Sequence, residues 1–178
     1  MIPEFEPFPK MARLARQIVV TEKLDGTNAQ VFVSDDGAVH AASRTRWITP
    51  ADDNYGFARW VADNEAALRD LGPGRHFGEW WGAGIQRRYG LDEKRFSLFN
   101  VARWGDARPS CCHVVPVLYT GSFETSAVEV CLDLLRSHGS VAAPGFMNPE
   151  GVIVFHTAAN IGFKKTLQRD EMPKGLAA

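Results

Sequence analysis

Residues 17–34 read "QIVVTEKLDGTNAQVFVS". Two β-branched runs flank the pair Asp25-Gly26, a composition that favours strands on both sides of a tight turn. The pattern predicts strands over 17–23 and 28–34, with Lys23 at the end of the first. A second turn, "SDDG" at 34–37, leads into "AVHAASR" at 38–44, so three antiparallel strands in succession are expected. A lysine at such a place has two uses. It is an ordinary solvated residue at a strand end, or the turn presents its amine to a phosphate. The rest of the chain decides between them.

From 52 to 71 the period changes. Phe57, Trp60, Val61, Asn64, Leu68 and Leu71 follow helical spacing, with Asp52 or Asp53 placed to cap the start and Gly72-Pro73 to stop the helix. Strand signals return in "RHFGEWWG" (75–82), "RFSLFNVARW" (95–104) and "HVVPVLYT" (113–120), the last assigned to a sheet edge because Pro116 has no N–H to donate. A second helix is predicted over 126–139, where Val128, Cys131, Leu132 and Leu135 share a face and Gly139 ends it. Strands at 150–156 and 161–167 close the chain. Strands come in hairpins and do not alternate with helices, which predicts an α+β fold of antiparallel sheets flanked by helices. No repeat or long linker divides the chain, so residues 1–178 are expected to form one domain.

Charge is balanced, with 20 Lys+Arg against 21 Asp+Glu. Any polyanion must therefore meet a local patch and not a generally basic surface. The opening "MIPEFEPFPKMAR" has no basic and then apolar segment of the signal-peptide kind, and no apolar run is long enough for a membrane span. Three cysteines, two of them adjacent at Cys111 and Cys112, form neither a disulfide framework nor a zinc spacing, in keeping with a reducing cytoplasm. "CCH" at 111–113 is not expected to bind metal, because neighbours in a strand point to opposite faces.

The common phosphate cradles are missing: there is no GxxxxGK[ST] and no GxGxxG. A GxSxG nucleophile elbow is also missing. What remains is a set of charged residues, each planted in an apolar strand: Lys23, Arg44, Glu79, Glu150 and Lys164. Singly, each fits a wet strand face. Together, two lysines, an arginine and two carboxylates near strand ends suit a cleft for a nucleotide and a divalent metal.

"EKLDGTN" at 22–28 resembles the lysine-nucleophile motif, KxDGxN, of the covalent nucleotidyltransferase superfamily. The other signatures of that superfamily follow in order. "ASRT" at 42–45 resembles its Ser-Arg motif, "FGEWWG" at 77–82 its glutamate motif and "RFSLFNV" at 95–101 its aromatic motif. "PEGVIV" at 149–154 resembles the Glu-Gly motif, and "GFKKTL" at 162–167 the final lysine strand. Asn28, where DNA ligases and capping enzymes carry arginine, is similar to the RNA ligase branch, of the phage RNA ligase 2 and RNA-editing ligase type. The resemblance covers about residues 16–170 and implies an ATP-grasp-like nucleotidyltransferase domain.

It further implies an ATP-dependent RNA ligase that joins a 3′-hydroxyl to a 5′-phosphate. Lys23 would attack the α-phosphorus of ATP, giving lysyl-AMP, and AMP would then pass to the RNA end. An amine attacks only when neutral, so Lys164 and Mg²⁺ (or Mn²⁺) are expected nearby, to disfavour the ammonium and neutralise the phosphates. Position by position, the resemblance implies the following roles. Arg44 contacts the β-phosphate or the RNA 5′-phosphate, and Glu79 accepts from the ribose hydroxyls. Asn28 contacts the ribose or the substrate end. Phe99 stacks on adenine, with Phe96 as the fallback on the opposite strand face. Glu150 organises the metal with Asp25 in support, Glu22 helps fix the adenine, and Lys164 holds the α-phosphate.

The chain departs from the pattern in three places. Asn100 stands where many relatives have aspartate. In the final strand the family commonly has two lysines one residue apart, whereas here Lys165 and then Thr166 follow Lys164; alternation puts Lys165 on the opposite face, which leaves the second lysine unfilled and Lys174 as a distant candidate. No further domain is expected after the last motif, so RNA is expected to be held, with strong salt dependence, by "GIQRRYG" (84–90) and the Arg13/Arg16 segment. A DNA-nick ligase or other AMP-transferring enzyme, and a nucleotide- or RNA-binding domain without chemistry, are the alternatives. Asn28 weighs against the first, and Lys23, Glu79, Glu150 and Lys164 together weigh against the second.

Overall fold

The computed structural model describes residues 2–171. Ten strands fall into two sheets: β1 (Gln17–Lys23), β2 (Thr27–Val33), β3 (Val39–Ser43), β4 (Trp47–Ile48), β5 (Gly74–Gly82), β6 (Lys94–Leu98), β7 (His113–Val114), β8 (Val117–Ser122), β9 (Gly151–His156) and β10 (Ile161–Thr166). The four-stranded sheet has the order β10-β9-β1-β8, and the six-stranded sheet β4-β3-β2-β5-β6-β7. Every described pairing is antiparallel except that of β6 with β7. The α+β class expected from the sequence is the observed one.

Each sheet buries one face under helices. Ala29, Val31, Val33, Trp80, Phe96 and Leu98 on the six-stranded sheet pack against Phe57, Val61 and Leu68 of helices α1 (Phe57–Asp63) and α2 (Glu65–Leu68). Ile18, Val20, Val152 and Val154 on the four-stranded sheet meet α3 (Thr125–His138) through the expected stripe of Val128, Cys131, Leu132 and Leu135. Alternation does the rest, because the uncovered faces of both sheets border a cleft. Among the described residues no helix is long and apolar enough to cross a membrane.

Four local expectations are corrected. The Asp25-Gly26 pair does not close a hairpin. β1 pairs with β8 and β9, while β2 pairs with β3 and β5, so residues 24–26 carry the chain from one sheet to the other. Gly26 is there for space: a Cβ would collide with the Trp80 carbonyl oxygen and lie 2.7 Å from the Trp81 Cβ.

The single helix expected over 52–71 is broken into α1, α2 and a 3-10 turn at Arg69–Leu71. Gly56, with φ of 82°, holds the N-cap position, although the Asp53 carboxylate still accepts from the Ala58 (2.7 Å) and Arg59 (3.1 Å) N–H groups. The strand expected over 95–104 stops at Leu98, where the chain turns. Pro116 marks a change of sheet within the segment expected as one strand: β7 before it edges the six-stranded sheet, and β8 after it edges the four-stranded one.

Candidate active site

The nucleophile candidate is placed by register. Lys23, the last residue of β1, stands opposite Gly151, the first of β9, so Glu150 just before it reaches the amine. Lys23 Nζ and Glu150 Oε2 form an ion pair, with the carboxylate buried and the amine partly open. Gly151 keeps the strands close here. Its φ is 151°, and a Cβ would lie 2.7 Å from the Thr166 Cα on β10. On the same face Lys164 of β10 stands opposite Ile153 of β9, one row from Lys23. Lys165 points the other way, to Glu129 of α3 at 3.4 Å. Lys174 lies outside the described residues.

The six-stranded sheet supplies the opposite wall. Asn28 of β2 and Glu79 of β5 are register partners. Glu79 accepts from the Asn28 side-chain amide (2.9 Å) and the Gly26 N–H (3.0 Å). Burial pushes the Glu79 carboxyl up to about 7, against the opposing pull of the Lys23 charge and the Gly26 N–H. Phe99 follows β6 and is 41% exposed, whereas Phe96 is fully buried against Phe57 and Trp60.

Eight of the nine residues expected at the site line one cavity of about 800 Å³: Glu22, Lys23, Asn28, Arg44, Glu79, Phe99, Glu150 and Lys164. That is room for a nucleotide. Phe99 also borders a second, more apolar cavity of about 490 Å³ between the sheets, walled by Phe77, Trp104 and Phe155.

Two members have structural duties. The Glu22 side chain turns to the α3 side, where its carboxylate accepts from the Ser140 hydroxyl (2.5 Å) and the Val141 (2.8 Å) and Ala142 (2.9 Å) N–H groups. Burial raises its pKa, and these bonds oppose the rise. Its side chain thus anchors the 140–143 turn. Asp25, expected near the metal, accepts from Arg87 Nε at 3.0 Å and is not among the cavity-lining residues.

Sequence reasoning missed the part played by Arg87 and Tyr89. Within the segment 84–90, expected to contact RNA, Arg87 also serves as a clamp. Besides Asp25, its guanidinium donates to the Asn148 carbonyl (2.9 Å), the Asn148 side chain (3.0 Å) and the Pro149 carbonyl (3.3 Å). It thereby ties the turn after Lys23 to the segment before Glu150. Tyr89 is buried against Trp81 and Phe146, and its hydroxyl accepts the Asp25 N–H at 2.8 Å. The pairing of a basic residue with an aromatic in this loop was the only visible signal. Arg88 stays exposed, as do Arg13 and Arg16.

A sequence model of the family described as RNA ligase matches residues 16–167. The chain belongs to the RNA ligase family. Solved structures agree in fold. A Naegleria gruberi RNA ligase mutant with AMP and Mn superposes with a TM-score of 0.58 at 19% identity, over 86% of this chain and 50% of that one. Two further mutants of that ligase, both with ATP and Mn, give 0.59 at 18% identity, over 84% and 87% of this chain and 48% and 51% of theirs. This member of the RNA ligase family thus spans about half the length of those structures. No curated protein matches it.

Proposed function

We propose that the protein is an ATP-dependent RNA ligase that joins 3′-hydroxyl and 5′-phosphate ends through lysyl-AMP on Lys23 and an RNA-adenylate. One observation carries the proposal. The Lys23 amine opens into a nucleotide-sized cavity whose walls also hold Glu79, Phe99, Arg44, Glu150 and Lys164. Family membership and the nucleotides in the Naegleria ligases support it.

In the first step the Lys23 nitrogen forms a bond to the α-phosphorus, the α–β bridging P–O bond breaks, and pyrophosphate leaves. The ammonium must first shed a proton, and the Glu150 oxygen in contact with it is the acceptor. Phe99 offers a face for the adenine. Arg44 and Lys164, cationic and on opposite sides of the cavity, neutralise the phosphates. In the second step the P–N bond breaks as an oxygen of the RNA 5′-phosphate takes AMP. In the third the 3′-hydroxyl attacks that 5′-phosphorus, and AMP leaves.

The donor set fits a divalent ion carried in with the phosphates. Among the described residues no three His, Cys, Asp or Glu side chains cluster to hold a metal by themselves. One or two carboxylates suffice when phosphates supply the other ligands. Of the two carboxylates expected there, Glu150 lines the cavity and Asp25 does not, so Glu150 would hold such an ion. Bound there, Mg²⁺ or Mn²⁺ contributes charge neutralisation.

Mass spectrometry after incubation with ATP and Mg²⁺ tests the proposal. An AMP adduct mapping to Lys23 and absent from Lys23→Ala is expected; an unmodified wild-type chain refutes it.

A further inference from the structure

The uncovered face of the six-stranded sheet does not end at the catalytic cavity. Register continues it outward from Asn28 and Glu79. The next row runs Trp47, Ala42, Gln30 and Phe77 across β4, β3, β2 and β5, and the row after it His40, Phe32 and Arg75. Trp47 is 52% exposed and Phe77 55%. The Arg75 guanidinium lies 5.2 Å from the Phe32 ring centre and 5.4 Å from that of Trp47, and Trp47 meets Phe32 edge-on at 5.9 Å. Arg44 extends the face at the cavity mouth. Of the outward positions on β2–β6, Glu79 alone is acidic, and it sits inside the cavity.

From this arrangement we propose that the open face of the six-stranded sheet is a stacking platform for unpaired RNA leading to the reactive end. The proposal rests on the ligase reading above and adds the class of substrate: an RNA end whose last nucleotides are single-stranded. Solvated aromatics on a sheet offer π-faces to bases regardless of sequence, and guanidinium groups beside them meet the backbone phosphates. The backbones at Trp47 and Phe77 stand three strand spacings apart, about 14 Å, so the two rings meet different bases of one strand. Bases inside a duplex present no free faces to such a surface. Charge suits the occupant, because Arg75 lies on the platform and Arg44 where it joins the cavity that holds Lys23.

The test uses the full chain, a short fluorescent 5′-phosphorylated single-stranded oligoribonucleotide, and the same oligonucleotide in a blunt duplex. Trp47→Ala and Phe77→Ala are each expected to weaken single-strand binding at least about fivefold. Trp47→Phe should retain most of the affinity, because a ring remains. AMP labelling of Lys23 by ATP should be unchanged in all three. Single-strand binding unaltered in both alanine variants overturns the proposal. So does a wild-type preference for the duplex, or a change of oligomeric state in Trp47→Ala, which would make this face a contact between copies. Labelling reads the ligase proposal and RNA binding reads the platform, so the two fail separately.

Discussion

Glu79→Gln should change how stability depends on pH. In the folded, nucleotide-free protein the Glu79 carboxyl titrates near 7, against an ordinary value of 4.5. Between those values the folded state holds a proton that the unfolded state has released, so stability falls as pH rises through this window and levels off above it. At ~1.4 kcal/mol per pH unit the full span amounts to about 3 kcal/mol. Glutamine has no such proton. It also loses one of the two acceptor contacts to Gly26 and Asn28, a cost that does not vary with pH. Urea denaturation followed by tryptophan fluorescence, on both proteins from pH 5 to pH 8, isolates the effect because other titrating groups cancel in the difference. The variant should gain about 2–3 kcal/mol on the wild type across that range. A constant gap would show that Glu79 is an ordinary carboxylate and that its burial carries no electrostatic cost.

Arg87→Met should cost about 2 kcal/mol in urea denaturation and slow AMP labelling of Lys23, and Arg87→Lys should recover only part of both, since one ammonium cannot span Asp25, Asn148 and Pro149 together. Phe99→Ala should raise the KM for ATP in the labelling reaction about tenfold with little loss of stability, whereas Phe96→Ala should cost about 3–5 kcal/mol in the same denaturation assay. Gly26→Ala should destabilise by more than about 3 kcal/mol, because the added methyl meets the β5 backbone and not a movable side chain; an unchanged thermal melt would contradict this.

Alternation and register explain what the sequence made visible. That Phe99 and Phe96 cannot share a face needed only the rule that residues three apart on a strand face opposite ways, and the structure puts Phe99 in the cavity and Phe96 in the core. The same rule separated Lys164 from Lys165. The path of the chain at Asp25-Gly26 was hidden, because two strands joined by a short turn look alike whether they pair with each other or with others. Pro116 signalled an edge correctly but not that the chain would pass between sheets. The structural duties of Glu22 and Arg87 were hidden for one reason: no local pattern reports a distant partner. What they bind, the turn at 140–142 and the segment at 148–149, comes from more than fifty residues away.

The two crossings between sheets, residues 24–26 and the link at Pro116, lie side by side, for the Glu22 N–H donates to the Pro116 carbonyl at 2.9 Å. The sheets are thus bound like the covers of a book, with the spine running past Lys23. Any widening of the gap between them must be a rotation about that line, since sliding apart would stretch both joints. Lys23, beside that line, then moves less than Arg44 after β3 and Lys164 on β10. On the ligase reading, a nucleophile at the spine and two cations further out would let the mouth open for an incoming strand without disturbing the amine.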